Sequence, residues 1–186
     1  HFSTGSVYGN LNEPCNENSK CNPKTLYSKT KLESEEIIRK VPGHCIVRPA
    51  TAYGISYKTR HNLLLHTLIK LASQKNEIKL YQPDAIRTFY HVEKIADFVS
   101  NWVDNFSHYE GQTLNLGHAN CTITKREAVD MIYECCDSKF KVEIVEGVDP
   151  DQRNYQVDYS NLELLWDDNY DDIKSNIKKI IQYYKG

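Results

Sequence analysis

No stretch of this 186-residue chain approaches the roughly 20 consecutive apolar residues of a membrane-spanning helix, so no membrane partner is expected. Charge of one sign is not in excess either. The 23 basic and 25 acidic residues leave a formal net charge of −2, which offers no bulk attraction to nucleic acid or to an anionic surface. C-x-x-C pairs and paired-histidine ligand patterns are missing, so no metal is expected. The six cysteines (Cys15, Cys21, Cys45, Cys121, Cys135 and Cys136) fall at irregular intervals in a chain this long, which argues against a disulfide scaffold. Reduced thiols in a cytoplasmic protein are the expectation, and Cys45, inside an apolar strand pattern, reads as a small buried hydrophobe. Two N-x-S/T sequons, at Asn105 and Asn120, carry no weight without a secretory signal.

What is there is a chain 40% hydrophobic and 26% charged, able to bury a core and sized for one domain or a small domain plus part of another. It opens on HFSTGSVYG, strand-like and without an initiator methionine, which reads as the middle of a protein. His1 to Ser3 is a strand end, and Gly5 and Gly9 permit the turns that follow. Residues 25–40 have a helical pattern, with Leu26, Ile37 and Ile38 as apolar positions and Glu33, Glu35 and Glu36 facing solvent. Pro42-Gly43 stops it, and Cys45 to Val47 is a short strand leading into a loop.

Further helices are expected over 62–73, 93–105, from Thr124 to about Cys136, and over 171–184. T-x-x-E at Thr124 and Glu127 is a capping box. Strands are expected over 78–81, 88–91, 112–116 and 141–145. Helices alternating with strands make the fold class α/β, in which ligands collect at the carboxyl ends of parallel strands.

Within the first helix, YSKTK places Tyr27 and Lys31 four residues apart, on one face and one turn from each other. An ammonium held beside a phenol favours the phenolate, which is how a tyrosine becomes a general acid/base. Alone, Y-x-x-x-K arises often by chance, and the alternative is a tyrosine packed on a solvated helix whose Lys29, Lys31, Glu33 and Glu35 alternate in charge.

Five ordered segments resemble the extended short-chain dehydrogenase/reductase family, specifically its NAD(P)-dependent nucleotide-sugar epimerases and dehydratases. STGSVYG resembles the family's Ser/Thr-rich turn, and YSKTK with Glu35 its catalytic helix. RPATAYG resembles R-P-x-N-V-Y-G, and IRTFYHVEKIADFV the R-D-F-I-H-V-x-D segment. LNLGHANCTITKREAVDMI resembles the N-x-G-x-x-x-x-x-T-x-x-E-L segment. The family's opening strand, G-x-x-G-x-x-G turn and helix have no counterpart here.

The resemblance therefore implies the C-terminal portion of a Rossmann-like doubly wound parallel sheet plus a small α/β substrate-binding domain. Residues 1–55 would carry the last Rossmann segments, and 56–186 mainly the nucleotide-sugar-binding part, with some segments returning to the sheet.

Residue by residue, the resemblance implies Tyr27 as the proton-transfer group and Lys31 as the residue that holds the nicotinamide ribose. Thr4 would be the hydroxyl that shares the relay, with Ser3 and Ser6 less favoured. Pro49 and Ala50 would lie against the cofactor, NAD or NADP. Thr51, where the family has Asn, would approach the nucleotide-diphosphate sugar, while Arg87 and Arg153 would hold its diphosphate. His91 would serve hydrogen bonding more than catalysis, and Arg60, His61 and Asn62 would stand near the substrate.

Gly5 and Ser6 occupy the places of the dehydratase branch's Asp-Glu pair, which favours an epimerase, reductase or related oxidoreductase. A homodimer built on the Y-x-x-x-K helix and one neighbour is the implied assembly. The alternative of another class is a truncated, catalytically incompetent chain that only binds sugar nucleotide.

Overall fold

A computed structural model describes residues 1–10, 13–74, 77–137, 139–147, 156–167 and 172–185. The strands that position the candidate site are short and parallel. Strand β1 (Ile46–Pro49) pairs in parallel with β5 (Thr113–Leu116), in the register Ile46↔Thr113 to Pro49↔Leu116. A parallel bridge between Phe2 and Val47 adds the opening segment on the other side of β1. Ile46, Val47, Leu114 and Leu116 are buried, as expected of a parallel sheet covered on both faces.

The chain then changes sheets within one residue. The Ala50 amide still donates to the Leu116 carbonyl at 2.8 Å, whereas β2 (Thr51–Tyr53) pairs in parallel with β4 (Ile86–His91). Strand β6 (Thr122–Thr124) joins β4 in the antiparallel sense and completes a three-stranded sheet. Strands β3 (Ile78–Tyr81) and β7 (Val142–Val145) form a separate parallel pair. The segment after β1, read as a loop from the sequence, is thus strand β2.

Six α-helices are described: α1 (Leu26–Ile38), α2 (Leu64–Ser73), α3 (Val92–Asp104), α4 (Lys125–Cys135), the four-residue α5 (Ser160–Glu163) and α6 (Ile173–Lys185). Helix α2 buries Leu65, Leu68, Ile69 and Ala72, and α6 buries Ile173, Ile177, Ile180 and Ile181, both at i, i+3/i+4, i+7 spacing. These stripes meet each other and Ala128, Val129 and Ile132 of α4 in the main core. The expected capping box of α4 is present: the Glu127 amide donates to Thr124 Oγ1 at 3.1 Å, and the Thr124 amide to Glu127 Oε2 at 2.7 Å.

Helix α1 departs from its expected face. Leu26 and Ile37 are 79% and 65% exposed, whereas its buried positions are Ser28 and Glu35. Glu35, expected in solvent, is wholly buried. The correction has a physical cause: the Arg48 guanidinium meets Glu35 there, while Ser28 turns in to complete a capping box with Thr25 and Leu32 packs on a smaller core. A smaller core of Val7, Tyr8, Cys15, Val157 and Tyr159 lies beneath the opening turn. All six cysteines are free, and burial pushes the Cys45 thiol up to about 11.

Candidate active site

Thr4 caps a single 3-10 turn, Gly5–Tyr8, with its Oγ1 accepting from the Ser6 amide at 3.2 Å. An accepted bond at Oγ1 leaves the hydroxyl proton of Thr4 to be given elsewhere. The turn closes at Gly9, whose φ of 74° and 2.0 Å approach of a built Cβ to the Asn22 carbonyl admit only glycine. Helix α1 packs against this turn. On it, Tyr27 is 56% exposed, and the Lys31 ammonium donates to the Phe2 carbonyl at 2.8 Å.

A small cleft opens beside the turn. It is lined by Gly5 next to Thr4, by Ala50 and Thr51 at the sheet-to-sheet crossing, and by Arg87 on β4. Val157 and Tyr159 close another wall. Arg87 is buried, with Nη1 donating to the Ile86 carbonyl at 2.7 Å.

The structure thus brings Thr51, Ala50 and Arg87 to the cleft beside the Thr4 turn, and sets Tyr27 and Lys31 on the helix packed against that turn. Pro49 ends β1 between Arg48 and Ala50, both of which line the cleft. Arg153 lies outside the described residues.

The other candidates do not line this cleft. His91 Nδ1 accepts from the Glu93 amide at 3.4 Å and caps α3. His61 Nδ1 and the Tyr184 hydroxyl are 2.7 Å apart, Arg60 Nε donates to Asn62 Oδ1 at 3.2 Å, and none of the three lines the cleft. No group of three or more metal-ligating side chains occurs among the described residues.

Behind the turn stands a buried network that the sequence does not announce. The Glu35 carboxylate accepts Arg48 Nε at 2.9 Å and Nη2 at 2.7 Å, a bidentate pair, together with Arg39 Nη2 at 2.7 Å and the Ser3 hydroxyl. Arg48 Nη1 donates to the Tyr8 hydroxyl at 2.9 Å, and that hydroxyl donates to Asn115 Oδ1 at 2.7 Å. Asn115 Nδ2 continues to the Asp158 carbonyl at 3.0 Å.

Burial opposes ionisation of Glu35, but the bonds from Arg48 and Ser3 outweigh it and hold the carboxyl below the usual range. Burial likewise disfavours the Arg48 cation, and Glu35 more than restores it. Burial raises the Tyr8 phenol, only partly offset by the neighbouring Arg48 charge. Arg48 and Asn115 sit inside RPATAYG and LNLG, so their positions were marked, but their partners come from other elements and have no local signal.

Residues 1–163 match the RmlD substrate binding domain. The chain belongs to that family. It is 31% identical over 113 residues to the spore coat polysaccharide biosynthesis protein SpsK of Bacillus subtilis (strain 168), spanning 60% of this chain and 37% of that protein. A shorter match, 42% over 55 residues, is to methionine adenosyltransferase 2 subunit beta of Danio rerio, covering 29% of this chain and 17% of that protein.

Among solved structures, the UDP-glucuronic acid 4-epimerase of Bacillus cereus, in complex with UDP-glucuronic acid and NAD, superposes with a TM-score of 0.87 at 19% identity. That match covers all of this chain and 60% of the epimerase. The NAD complex of dTDP-glucose 4,6-dehydratase from Bacillus anthracis gives 0.80 at 22% identity, covering 99% and 60% of the two chains. RMD of Pseudomonas aeruginosa, complexed with NADPH, gives 0.81 at 19%, covering 99% and 65%. At these identities the likeness is one of fold, that of the C-terminal part of Rossmann-like enzymes, as the α/β reading anticipates. The chain spans 60% of the epimerase's length and 37% of SpsK's.

Proposed function

We propose that the protein carrying this chain is an NAD(P)-dependent oxidoreductase of nucleotide-diphosphate sugars, foremost an epimerase. The observation that carries the reading is the cleft, which gathers Gly5, Ala50, Thr51 and Arg87 beside the turn against which the Tyr27 helix packs. Solved relatives of the same fold bind NAD with UDP-glucuronic acid, NAD, and NADPH. The residues present fit a nicotinamide dinucleotide: Tyr27 is exposed, Lys31 reaches the opening segment beside β1, and Pro49 ends a parallel strand with Ala50 just beyond it. The chemistry that NAD or NADP supplies when bound is hydride transfer at a sugar ring carbon.

In this reading Tyr27 takes a proton from the sugar hydroxyl and returns it, and the Thr4 hydroxyl donates a hydrogen bond to the same oxygen without losing its proton. Lys31 keeps the Phe2 carbonyl and gives another proton of its ammonium to the ribose. Arg87 and Arg153 clamp the diphosphate, and Thr51 approaches the sugar with a single hydroxyl. Gly5 and Ser6 offer no carboxylate pair for eliminating water, which favours epimerisation or single reduction over dehydration.

Residues 1–55 would supply the Rossmann part and 56–186 mainly the sugar-nucleotide part. The pairing of β5 with β1 supports the return of later segments to the first sheet. The free thiols fit a reducing, cytoplasmic setting. The exposed Leu26 and Ile37 of α1 and Val103 of α3 fit a homodimer formed through these helices.

Tyr27→Phe, made in the product of the complete coding sequence, is the test. Turnover of UDP-sugars with NAD or NADP falls about 10²–10⁴-fold, while cofactor affinity is retained. Wild-type turnover in this variant would exclude the reading.

A further inference from the structure

The wholly buried Glu35 lies on the same face of α1 as Tyr27 and Lys31, at successive spacings of four residues. Two of these three side chains grip the opening segment at neighbouring residues: Lys31 holds the Phe2 carbonyl and Glu35 holds the Ser3 hydroxyl. Two attachment points on consecutive residues fix both the rotation of α1 about its axis and its position along it. The residue after Ser3 is Thr4. The far end of the turn is held as well, because Tyr8 is bonded to Arg48 and Asn115. Arg48 closes the circuit by holding Glu35 in a two-bond fork and Tyr8 with its remaining nitrogen.

We propose that Glu35 and Arg48 are positioning residues: through Ser3 and Tyr8 they set the Thr4 hydroxyl against Tyr27 and Lys31. The inference rests on the proton-relay reading above and adds to it the device that fixes the relay's spacing. Glu35, without solvent exposure and outside the cleft lining, acts through the elements it ties. A buried ion pair is an uncertain source of net stability, because desolvation offsets the attraction, but it is demanding of geometry. Catalysis is equally demanding, since a displacement of about 1 Å between reacting groups costs on the order of 100-fold in rate.

The test compares Tyr27→Phe, Glu35→Gln and Ser3→Ala in the product of the complete coding sequence. Circular dichroism and thermal unfolding establish folding, and steady-state kinetics against pH give the rest. Glu35→Gln is expected to lower kcat on the order of 10–100-fold, with KM for the nucleotide sugar within about twofold of wild type. It is also expected to displace the pH limb that Tyr27→Phe abolishes. Ser3→Ala removes one hydrogen bond and moves the same quantities in the same direction by a smaller factor.

Folded Glu35→Gln with wild-type kcat and an unmoved pH limb overturns the inference. So does a loss of kcat that only follows the fraction of folded protein. If Glu35→Gln does not fold, Ser3→Ala decides, and wild-type kcat with an unmoved limb in that variant overturns the proposal. Should Tyr27→Phe itself keep full turnover, the relay reading falls and the positioning inference with it. Tyr27→Phe inactive beside a normal Glu35→Gln removes the positioning inference alone.

Discussion

Glu35 is the residue whose surroundings depart furthest from its sequence. Three glutamates in four positions, Glu33, Glu35 and Glu36, read as one solvated patch. Only Glu35 turns inward, because Arg48, thirteen residues away on β1, meets it there. Periodicity within a helix has no term for a charge arriving from another element. Tyr27, Lys31 and Thr4 could be put forward from the sequence because their spacing is local and because the order of the flanking segments is itself a signal.

Removing the carboxylate leaves the Arg48 guanidinium buried beside a void, so Glu35→Ala should cost about 3–5 kcal/mol in urea unfolding. Acid sensitivity should share this origin. Because the folded-state value of Glu35 lies below its ordinary one near ~4.3, its contribution is complete above that value. It is then lost as pH falls through the lower folded value. Thermal midpoints of the wild type should drop below about pH 4.5, more steeply than those of Glu35→Gln, and parallel acid limbs in the two proteins would refute this.

At the scale of elements, those with strong repeating patterns were readable. Helices α2, α4 and α6 carry apolar stripes, strand β3 has the expected bounds, and Thr124 announces the start of α4. Substituting Thr124 by Ala should cost about 1 kcal/mol, read as a lower urea midpoint with an unchanged slope. A fall in the slope instead would mean that the fold, not the cap, had been altered.

Strands β2 and β6 escaped notice because each has only three residues, too few for an alternation to register. β2 exists because the chain crosses from one sheet to the next at Ala50, a matter of partners rather than propensity. The reversed face of α1 has the same cause at larger scale. Its apolar positions suggested an inward side, but Arg48 draws Glu35 in, the Thr25 cap draws Ser28 in, and Leu32 packs on the small core.

For the whole molecule, the small parallel sheet of β1 and β5, extended by the Phe2 bridge, is the platform on which the candidate relay stands. The chain belongs to the RmlD substrate binding domain family, and its superposition on epimerase, dehydratase and RMD structures shows the same fold around that platform. The α1 side chains left outside the core carry an assembly prediction. Replacing Leu26 and Ile37 together by Glu should convert a dimer into a monomer in sedimentation analysis of the complete protein; an unchanged species would place the interface elsewhere.

The Lys31–Phe2 bond has one more consequence. Val47 bonds the His1 carbonyl and the Ser3 amide, so by strand alternation the Phe2 carbonyl turns away from β1, and there Lys31 meets it. A lysine over an outward strand carbonyl acts as a gatekeeper: wherever that edge meets solvent, an incoming strand must first displace a hydrated ammonium. Pairing of a further strand on that side of Phe2 therefore requires the Lys31 bond to break first.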